Sequence, residues 1–191
     1  MKITCVLGSP RIKGNSSVMA KRFCDTAEKL GAKVQTFVLN ELHYRGCQAC
    51  MGCKTKSDKC VLQDDLTPVL ESVREGDVLV MVSPVYLWDV SSLLRSFIER
   101  TYSFFVPDFQ TNPNPSRLKP GKKLVFIQTQ GQPSENLFAD LFSRIEPIFK
   151  RYGFTDNYLI RGLGVRKLGE IATKEEVMKK VEEIAEKIMS A

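Results

Sequence analysis

The alternation of short apolar runs with helical segments constrains the fold of this chain more than any other feature. Strands are predicted at Lys2 to Gly8, Lys33 to Leu39 and Asp77 to Pro84, and the last run is continuously apolar, as in a strand covered on both faces. Lys122 to Gly131 and the weaker Phe154 to Leu163 complete the set. Strands that alternate with helices are typical of βαβ units, so we predict an α/β fold with a doubly wound, five-stranded parallel sheet in three layers.

The segments between the strands carry the apolar spacing of amphipathic helices. We predict helices at Ser16 to Leu30, up to Arg74, at Ser91 to Thr101, at Glu135 to Tyr152 with a break or kink near Pro147, and at the C-terminus. Asp64 or Asp65 is expected to cap the second helix, and Thr173 with Glu176 forms a capping-box pattern before the last. Residues 104–120 form a long irregular insertion with four prolines, typical of a lid, an interface arm or a mobile segment.

The size and composition of the chain exclude several classes of protein. A chain of 191 residues is expected to form one domain over residues 1–191, with a core that needs no disulfide or metal. No apolar run approaches the roughly 20 residues that cross a membrane, and the N-terminus lacks a signal-peptide core, so we expect a cytoplasmic protein with reduced thiols. The net charge of +6 comes without a basic stripe, so nucleic-acid binding is not indicated.

The loop after the first predicted strand, GSPRIKGNSS from Gly8 to Ser17, has the composition of a phosphate cradle. Its glycines permit unusual backbone conformations, and the following helix presents free N–H groups and the positive end of its dipole. The side chains that can bind phosphate oxygens are those of Ser9, Arg11, Asn15, Ser16 and Ser17. The loop matches neither the G-x-G-x-x-G motif nor the P-loop, and the plainer alternative is a polar turn in which Asn15 or Ser16 caps the helix.

This loop resembles the phosphate loop of the NAD(P)H-dependent FMN reductase family, and two later segments extend the likeness. Ser83 to Arg100, SPVYLWDVSSLLRSFIER, is similar to the family's stretch after the third strand, with Arg95 and Glu99 in place of the usual Lys and Asp. GKKLVFIQTQG, Gly121 to Gly131, is similar to the family's fourth strand and loop. The resemblance implies a flavodoxin-like fold, FMN as the cofactor and NAD(P)H as a co-substrate.

Two further loops are expected to hold the FMN ring. An isoalloxazine is flat and partly apolar, and it needs backbone N–H groups at its pyrimidine edge. The residues after the third strand are Pro84, Val85, Tyr86, Leu87 and Trp88, of which the two aromatics border the ring or are ordinary core or interface residues. The family resemblance adds Thr129, Gln130 and Gly131 after the fourth strand. No catalytic side chain is predicted, because the cofactor carries the chemistry, and His43 is expected at the surface.

Four of the six cysteines lie in one predicted loop, residues 45–63, with the spacing C-x2-C-x2-C-x6-C. They are Cys47, Cys50, Cys53 and Cys60. Disulfides are disfavoured in a reducing compartment, and zinc sites commonly use two separated C-x2-C pairs. Three successive cysteines with a fourth close by can wrap one iron–sulfur cluster, and a loop of bare thiols is the remaining alternative.

This cysteine loop resembles that of the iron–sulfur flavoproteins, a branch of the same family, position for position. The resemblance implies a 4Fe–4S cluster on the four cysteines, although cluster-free relatives keep some of them. Three functions follow: an oxidoreductase that passes electrons between a cluster and FMN, a cluster-free NAD(P)H-dependent FMN or quinone reductase, or a flavodoxin-like electron carrier. The family also implies a homodimer or homotetramer with the flavin near the interface, and ferredoxin or a small molecule as redox partner.

Overall fold

Strands and helices alternate through residues 1–190, the part of the chain that the computed structural model describes. The elements are β1 (Lys2–Leu7), α1 (Asn15–Lys29), β2 (Lys33–Val38), α2 (Gly52–Thr55), α3 (Thr67–Glu75), β3 (Val78–Tyr86), β4 (Asp89–Val90), α4 (Ser92–Arg100), β5 (Lys122–Thr129), α5 (Asp140–Arg151), β6 (Phe154–Gly162) and α6 (Glu175–Ser190). Short 3₁₀ helices lie at Leu39–Glu41, Thr101–Phe104 and Glu170–Thr173. No helix in this part of the chain is long and apolar enough to cross a membrane.

The sheet has the strand order β2-β1-β3-β5-β6, and every pair along this path is parallel. The prediction of a flavodoxin-like, doubly wound α/β fold is therefore confirmed. A sixth strand, β4, was not predicted; it has two residues and pairs antiparallel with the end of β3. The chain reverses direction across the sheet between β1 and β3, so the carboxyl ends of these strands form the switch point where such folds bind ligands.

Two hydrophobic cores flank the sheet, one on each face. The side chains of β3 alternate between them: Val80 enters the core under α1 and α6, whereas Leu79 and Met81 enter the core under α3, α4 and α5. Because β3 is buried on both faces, its sequence is a continuous apolar run instead of an alternating one. The polar loops at the strand ends are thereby left at the edge of a rigid three-layer scaffold.

The insertion at residues 104–120 closes on itself and packs against α5. Phe105 pairs with Ser116 in an isolated antiparallel bridge, and Arg117 donates its backbone N–H to the carbonyl of Phe104 at 2.8 Å. The ring of Phe105 stacks on Phe109 with centroids 4.6 Å apart and lies 4.5 Å from the ring of Tyr152. An aromatic cluster therefore fixes this proline-rich segment.

Asp64 caps the turn that leads into α3. Its Oδ1 accepts the backbone N–H of Leu66 at 3.2 Å, and its carbonyl accepts the backbone N–H of Thr67 at 2.9 Å. Of the two carboxylates predicted as caps, Asp64 therefore takes this role and Asp65 does not. Asp64 also pairs with Arg100 at 2.7 Å, and Asp65 accepts the backbone N–H of His43.

The last two helices also begin differently from the prediction. Thr173 ends a 3₁₀ helix and donates its hydroxyl to the backbone of Glu170 at 2.9 Å, so the predicted capping box is wrong. α5 begins at Asp140, later than predicted, and continues through Pro147 without a break. Its start is delayed because the backbone just before it accepts hydrogen bonds from Arg161.

Candidate functional site

The loop after β1, the end of β3 and the loop after β5 meet at the carboxyl edge of the sheet around a cavity of about 240 Å³. The loop after β6 supplies a fourth wall. The lining residues are Ser9, Arg11, Gly14, Asn15, Ser16, Pro84, Val85, Tyr86, Thr129, Gln130, Gly131, Val165, Arg166 and Leu168. Most of the residues expected to bind the cofactor are thus brought together, whereas Ser17, Leu87 and Trp88 lie outside this lining.

The loop after β1 is folded back on Arg11. The hydroxyl of Ser9 accepts the N–H of Arg11 at 3.1 Å, and the hydroxyl of Ser17 donates to its carbonyl at 3.2 Å. The N–H of Gly14 donates to the same carbonyl at 2.8 Å. A Cβ at position 14 would lie 2.9 Å from that oxygen, closer than real contacts allow, so this tight turn needs glycine.

The start of α1 faces the cavity as an anion-binding end. Its N-terminal boundary is Gly14, which carries no capping side chain, and its first turn holds no acidic residue. The first helical hydrogen bond runs from Val18 N–H to Gly14 O, so the N–H groups of residues 15–17 have no partner inside the helix. Together with the exposed cation of Arg11, they make this end of the cavity electropositive.

Asn15 lines the cavity, and its side chain also anchors a neighbouring loop. Its side-chain amide donates to the carbonyl of Lys167 at 2.9 Å and accepts the N–H of Ile171 at 3.0 Å. Both ends of the amide therefore hold the loop after β6 against the cavity. That loop brings in Arg166, a residue the sequence reasoning missed; the available signal was its position after a parallel strand, at the same edge of the sheet.

The end of β3 turns back through a two-residue hairpin to β4. Leu87 and Trp88 form the turn with φ values of 43° and 65°, and Tyr86 pairs with Asp89 across it. Both turn residues need the left-handed conformation, which non-glycine residues adopt at a cost. Their side chains are 88% and 70% exposed, so burial within this chain does not offset the free-energy cost of the strained backbone.

A second cavity of about 480 Å³ adjoins the first and shares several of its wall residues. It is lined by Val85, Leu87, Trp88, Gln130, Gly131, Gln132, Phe138 and Arg166. Trp88 meets Phe138 edge to face with ring centroids 6.4 Å apart, and Arg166 donates from Nε to the carbonyl of Gly131 at 3.0 Å. The two adjoining cavities form two lobes of one site, and the second lobe combines an aromatic wall with one cationic side chain.

The loop after β5 is held in shape by buried amides. Gln130 is buried, and its Nε2 donates to the carbonyls of Gln132 and Ser134 at 3.1 Å. Its Oε1 accepts from Arg161 Nη2 at 3.0 Å. The backbone of Thr129 to Gly131 is therefore fixed where the two lobes of the cavity meet.

The four loop cysteines border one small pocket beside the ends of α4 and α2. Cys47 and Cys50 are exposed, Cys53 is buried and Cys60 is half-buried, and all four are free thiols. The residues on either side of Cys50 have φ values of 50° and 57°, which turns the chain tightly there. The loop thus curls its thiols around a common space.

The four thiols are the right type of ligand for a metal cluster and share one pocket. Their positions in space, however, are too far apart to hold a metal ion. Within residues 1–190, no three His, Cys, Asp or Glu side chains are grouped closely enough to hold a metal ion. The predicted ligands Cys47, Cys50, Cys53 and Cys60 therefore line one pocket without converging on one point. They border a different pocket from the two lobes at the carboxyl edge.

Asp64 anchors this loop electrostatically. Burial acts to raise the pKa of its carboxyl, but the hydrogen bonds and charge of Arg100 outweigh that effect and hold the pKa below its ordinary value. Solvent does not reach the arginine of this pair, because the Arg100 side chain has no exposed surface. His43 is exposed, and its backbone N–H, not its ring, makes the contact with Asp65.

Comparison with known proteins places these observations in a family. The family model described as NADPH-dependent FMN reductase matches residues 1–142. An iron-sulfur flavoprotein of Archaeoglobus fulgidus is 29% identical over 192 residues, covering 100% of this chain and 80% of that protein. One from Methanosarcina thermophila is 29% identical over 101 residues, covering 53% of this chain and 52% of that protein, so the chain matches only about half of that relative.

Solved structures show the same fold at low sequence identity. An FMN-dependent NADH-azoreductase from Bacillus anthracis in complex with FMN superposes with a TM-score of 0.74 at 16% identity, covering 98% of this chain and 99% of the other. An NAD(P)H:quinone oxidoreductase from Methanothermobacter marburgensis gives a TM-score of 0.73 at 13% identity, covering 97% and 95%. At these identities the likeness establishes the fold alone.

Proposed function

The chain belongs to the NADPH-dependent FMN reductase family, and from that premise we propose that it passes electrons between FMN and a 4Fe–4S cluster. FMN lies, on this proposal, at the carboxyl edge of the sheet, and the cluster is held by Cys47, Cys50, Cys53 and Cys60. The observation that carries the proposal is the convergence of the loops after β1, β3 and β5 on one two-lobed cavity.

The lobe at the start of α1 suits the phosphate of FMN. Ser9 and Ser16 line it, the free N–H groups of the helix end face it, and Arg11 adds a cation with a forked donor geometry. Ser17 and Asn15 support the lobe indirectly, because their side chains hold the cradle and the loop after β6 in place. These contacts would fix one end of the cofactor and so orient its ring.

The aromatic lobe suits a flat ring and a second flat molecule that exchanges electrons with it. FMN supplies the redox chemistry when bound, since flavins exchange electrons singly or in pairs. The chain contributes apolar walls from Val85, Trp88 and Phe138 that orient flat partners and exclude water. NAD(P)H enters, on this proposal, from the open side beside the exposed Leu87.

The cluster proposal rests on the C-x2-C-x2-C-x6-C pattern of the sequence and on the surroundings of the thiols. The four cysteines border one pocket, and the buried guanidinium of Arg100 donates to the sulfur of Cys60 at 3.1 Å. Curated relatives that match the chain carry the name iron-sulfur flavoprotein. A one-electron donor such as ferredoxin, or a small-molecule redox partner, would then exchange electrons through this loop.

A cluster-free NAD(P)H-dependent FMN or quinone reductase is the second candidate. The separation of the four thiols favours it, since no three acidic, histidine or cysteine side chains in the described residues form a metal-holding group. The same FMN site and the same open aromatic lobe would serve such an enzyme. Iron and sulfide contents distinguish the two candidates.

A homodimer or homotetramer with the flavin near the interface completes the proposal. The hairpin of Leu87 and Trp88 exposes two large apolar side chains directly beside the cavity. Such a patch is costly in water and is typical of a contact surface. Light scattering on the purified protein should give twice or four times the 21.6 kDa chain mass.

Anaerobic reduction of the FMN-loaded protein tests the proposed activity. Addition of NADH, NADPH or reduced ferredoxin should bleach the flavin absorbance with saturable kinetics, and a quinone or oxidised ferredoxin should restore it. An electron carrier would exchange with ferredoxin but show slow oxidation of NAD(P)H with every acceptor. If none of these donors bleaches bound FMN, the proposed function is wrong.

A further inference from the structure

Arg166, in the loop after β6, presents a cation to the cavity with most of its donors free. Its Nε donates to the carbonyl of Gly131 at 3.0 Å, and its side chain borders both lobes. Within residues 1–190, neither Nη atom of this guanidinium makes a hydrogen bond or an ion pair. The carboxylate of Glu170 instead accepts the backbone N–H groups of Arg166 and Lys167, at 2.7 and 2.9 Å. The N–H groups on both Nη atoms therefore remain for a ligand.

A neighbouring arginine shows the opposite arrangement. Arg161 donates from Nη1 to the carbonyl of Glu135 at 2.7 Å. Its Nη2 donates to the carbonyl of Leu137 at 2.6 Å and to Gln130 Oε1 at 3.0 Å. Arg161 thus holds the loop after β5 and lines neither lobe. The free Nη atoms of Arg166 have no such part in holding these loops.

The chain makes room for Arg166 at Gly131. This glycine is not among the positive-φ residues, so its backbone conformation does not require glycine. A Cβ at position 131 would lie 3.1 Å from Cγ and 3.4 Å from Nε of Arg166, tighter than most real contacts. The missing side chain therefore lets the arginine stem lie against the peptide, and the hydrogen bond from Nε orients the guanidinium where the two lobes meet.

The aromatic lobe has a simple distribution of charge. In the described part of the chain, Arg166 is the one charged residue that lines it, and no Asp or Glu lines either lobe. A flat apolar molecule can bury its faces against Trp88 and Phe138. A carboxylate on that molecule matches the forked donors of a guanidinium, whereas an uncharged molecule leaves the cation without a partner.

We propose that Arg166 determines which flat molecule the aromatic lobe accepts, by binding an anionic substituent on the ring system of an aromatic substrate such as a quinone. The inference rests on the FMN-binding half of the proposed function, because it takes FMN as bound, and it needs no cluster. Arg11 stands at the phosphate end of the cavity, so the two cations divide between cofactor and substrate.

Equilibrium dialysis of the FMN-loaded, oxidised protein tests this inference without turnover. The probes are an anthraquinone carboxylate and its uncharged carboxamide, which share one flat ring system. The wild type should bind the carboxylate about tenfold more tightly than the carboxamide, since only the carboxylate forms a charge-assisted pair. Binding should also perturb the absorbance of the bound FMN. A wild type that binds neither probe, or binds both equally, overturns the inference.

Arg166→Gln provides the second test, with Lys167→Gln as the matched control. Lys167 is exposed and lines neither lobe, so its substitution removes the same charge from the same loop. Arg166→Gln should lose the preference for the carboxylate and keep the affinity for the carboxamide, while Lys167→Gln keeps the preference. Equal losses in the two variants would show a response to net charge alone and would overturn the role of Arg166.

The affinity for FMN separates this inference from the function beneath it. Arg166→Gln should bind FMN as the wild type does. A loss of FMN affinity in this variant would assign the guanidinium to the cofactor, which overturns the inference and leaves the FMN site in place. Wild-type protein that binds no FMN overturns the proposed function and this inference together. If Arg166→Gln does not fold, the preference of the wild type between the two probes decides.

Discussion

At the scale of single residues, Arg11 is the side chain on which cofactor affinity should depend most. It is exposed at the mouth of the cradle, and its own backbone, not its guanidinium, makes the hydrogen bonds that shape the loop. The cation is therefore free to meet an anion. Ser17, by contrast, uses its hydroxyl on the carbonyl of Arg11, so its contribution to binding is through the shape of the loop.

Arg11→Ala should weaken FMN binding by about 1.5–3 kcal/mol, because it removes one charge-assisted hydrogen bond. Lys13→Ala is the matched control: Lys13 lies in the same loop but borders a separate groove and not the cofactor cavity. Fluorescence quenching of FMN titrated with the apoprotein gives both dissociation constants. Equal constants for the two variants would contradict the assignment of the phosphate end.

The buried hydroxyl of Tyr152 should make the free energy of unfolding depend on pH in the alkaline range. Burial raises the pKa of its hydroxyl well above the ordinary value, so the folded chain keeps it protonated where the unfolded chain does not. Its stabilisation is complete below about pH 10, the ordinary tyrosine value, and is lost as the pH rises from there through the folded value. Tyr44, whose pKa burial raises to about 12, acts in the same direction.

Tyr152→Phe should therefore flatten the fall of the unfolding free energy above about pH 10. Urea unfolding of the wild type and of the variant, repeated across that range, measures the two slopes. Parallel curves for the wild type and Tyr152→Phe would show that the buried hydroxyl does not control alkaline stability.

At the scale of elements, the sequence predicts those strands and loops that carry a clear hydrophobic pattern or follow a strand directly. β3 was recognised because both of its faces are buried, and the cradle because its polar residues follow a strand directly. β4 was missed because two residues give no pattern, and because Leu87 and Trp88 are not the Asn or Gly that usually mark such a turn. Arg100 gave no signal either, since its burial depends on a loop far away in sequence.

The hairpin between β3 and β4 predicts a stabilising substitution. Leu87 is exposed and has a φ of 43°, so Leu87→Asn should raise the free energy of unfolding by about 1 kcal/mol by relieving backbone strain. Leu137→Asn is the control: this leucine is also exposed but is not among the positive-φ residues. Urea unfolding of the cofactor-free protein, at concentrations where light scattering shows a monomer, compares them, and a loss of stability in Leu87→Asn would argue against strain at this turn.

At the scale of the whole molecule, α4 joins the two sites. At its N-terminal end Ser91 donates its hydroxyl to the carbonyl of Gly8, at the start of the cradle loop. At its other end Arg100 holds the cysteine loop. The helix has nine residues and a length of about 13 Å, so both sites are attached to one short rigid element.

The content of cofactors in protein that has never met air tests this account most directly. Flavin, iron and acid-labile sulfide are measured on the wild type purified anaerobically. The account predicts about one FMN with about four irons and four sulfides per chain. FMN without iron would contradict the cluster and favour the cluster-free reductase, and protein that binds no FMN would contradict the account at its centre.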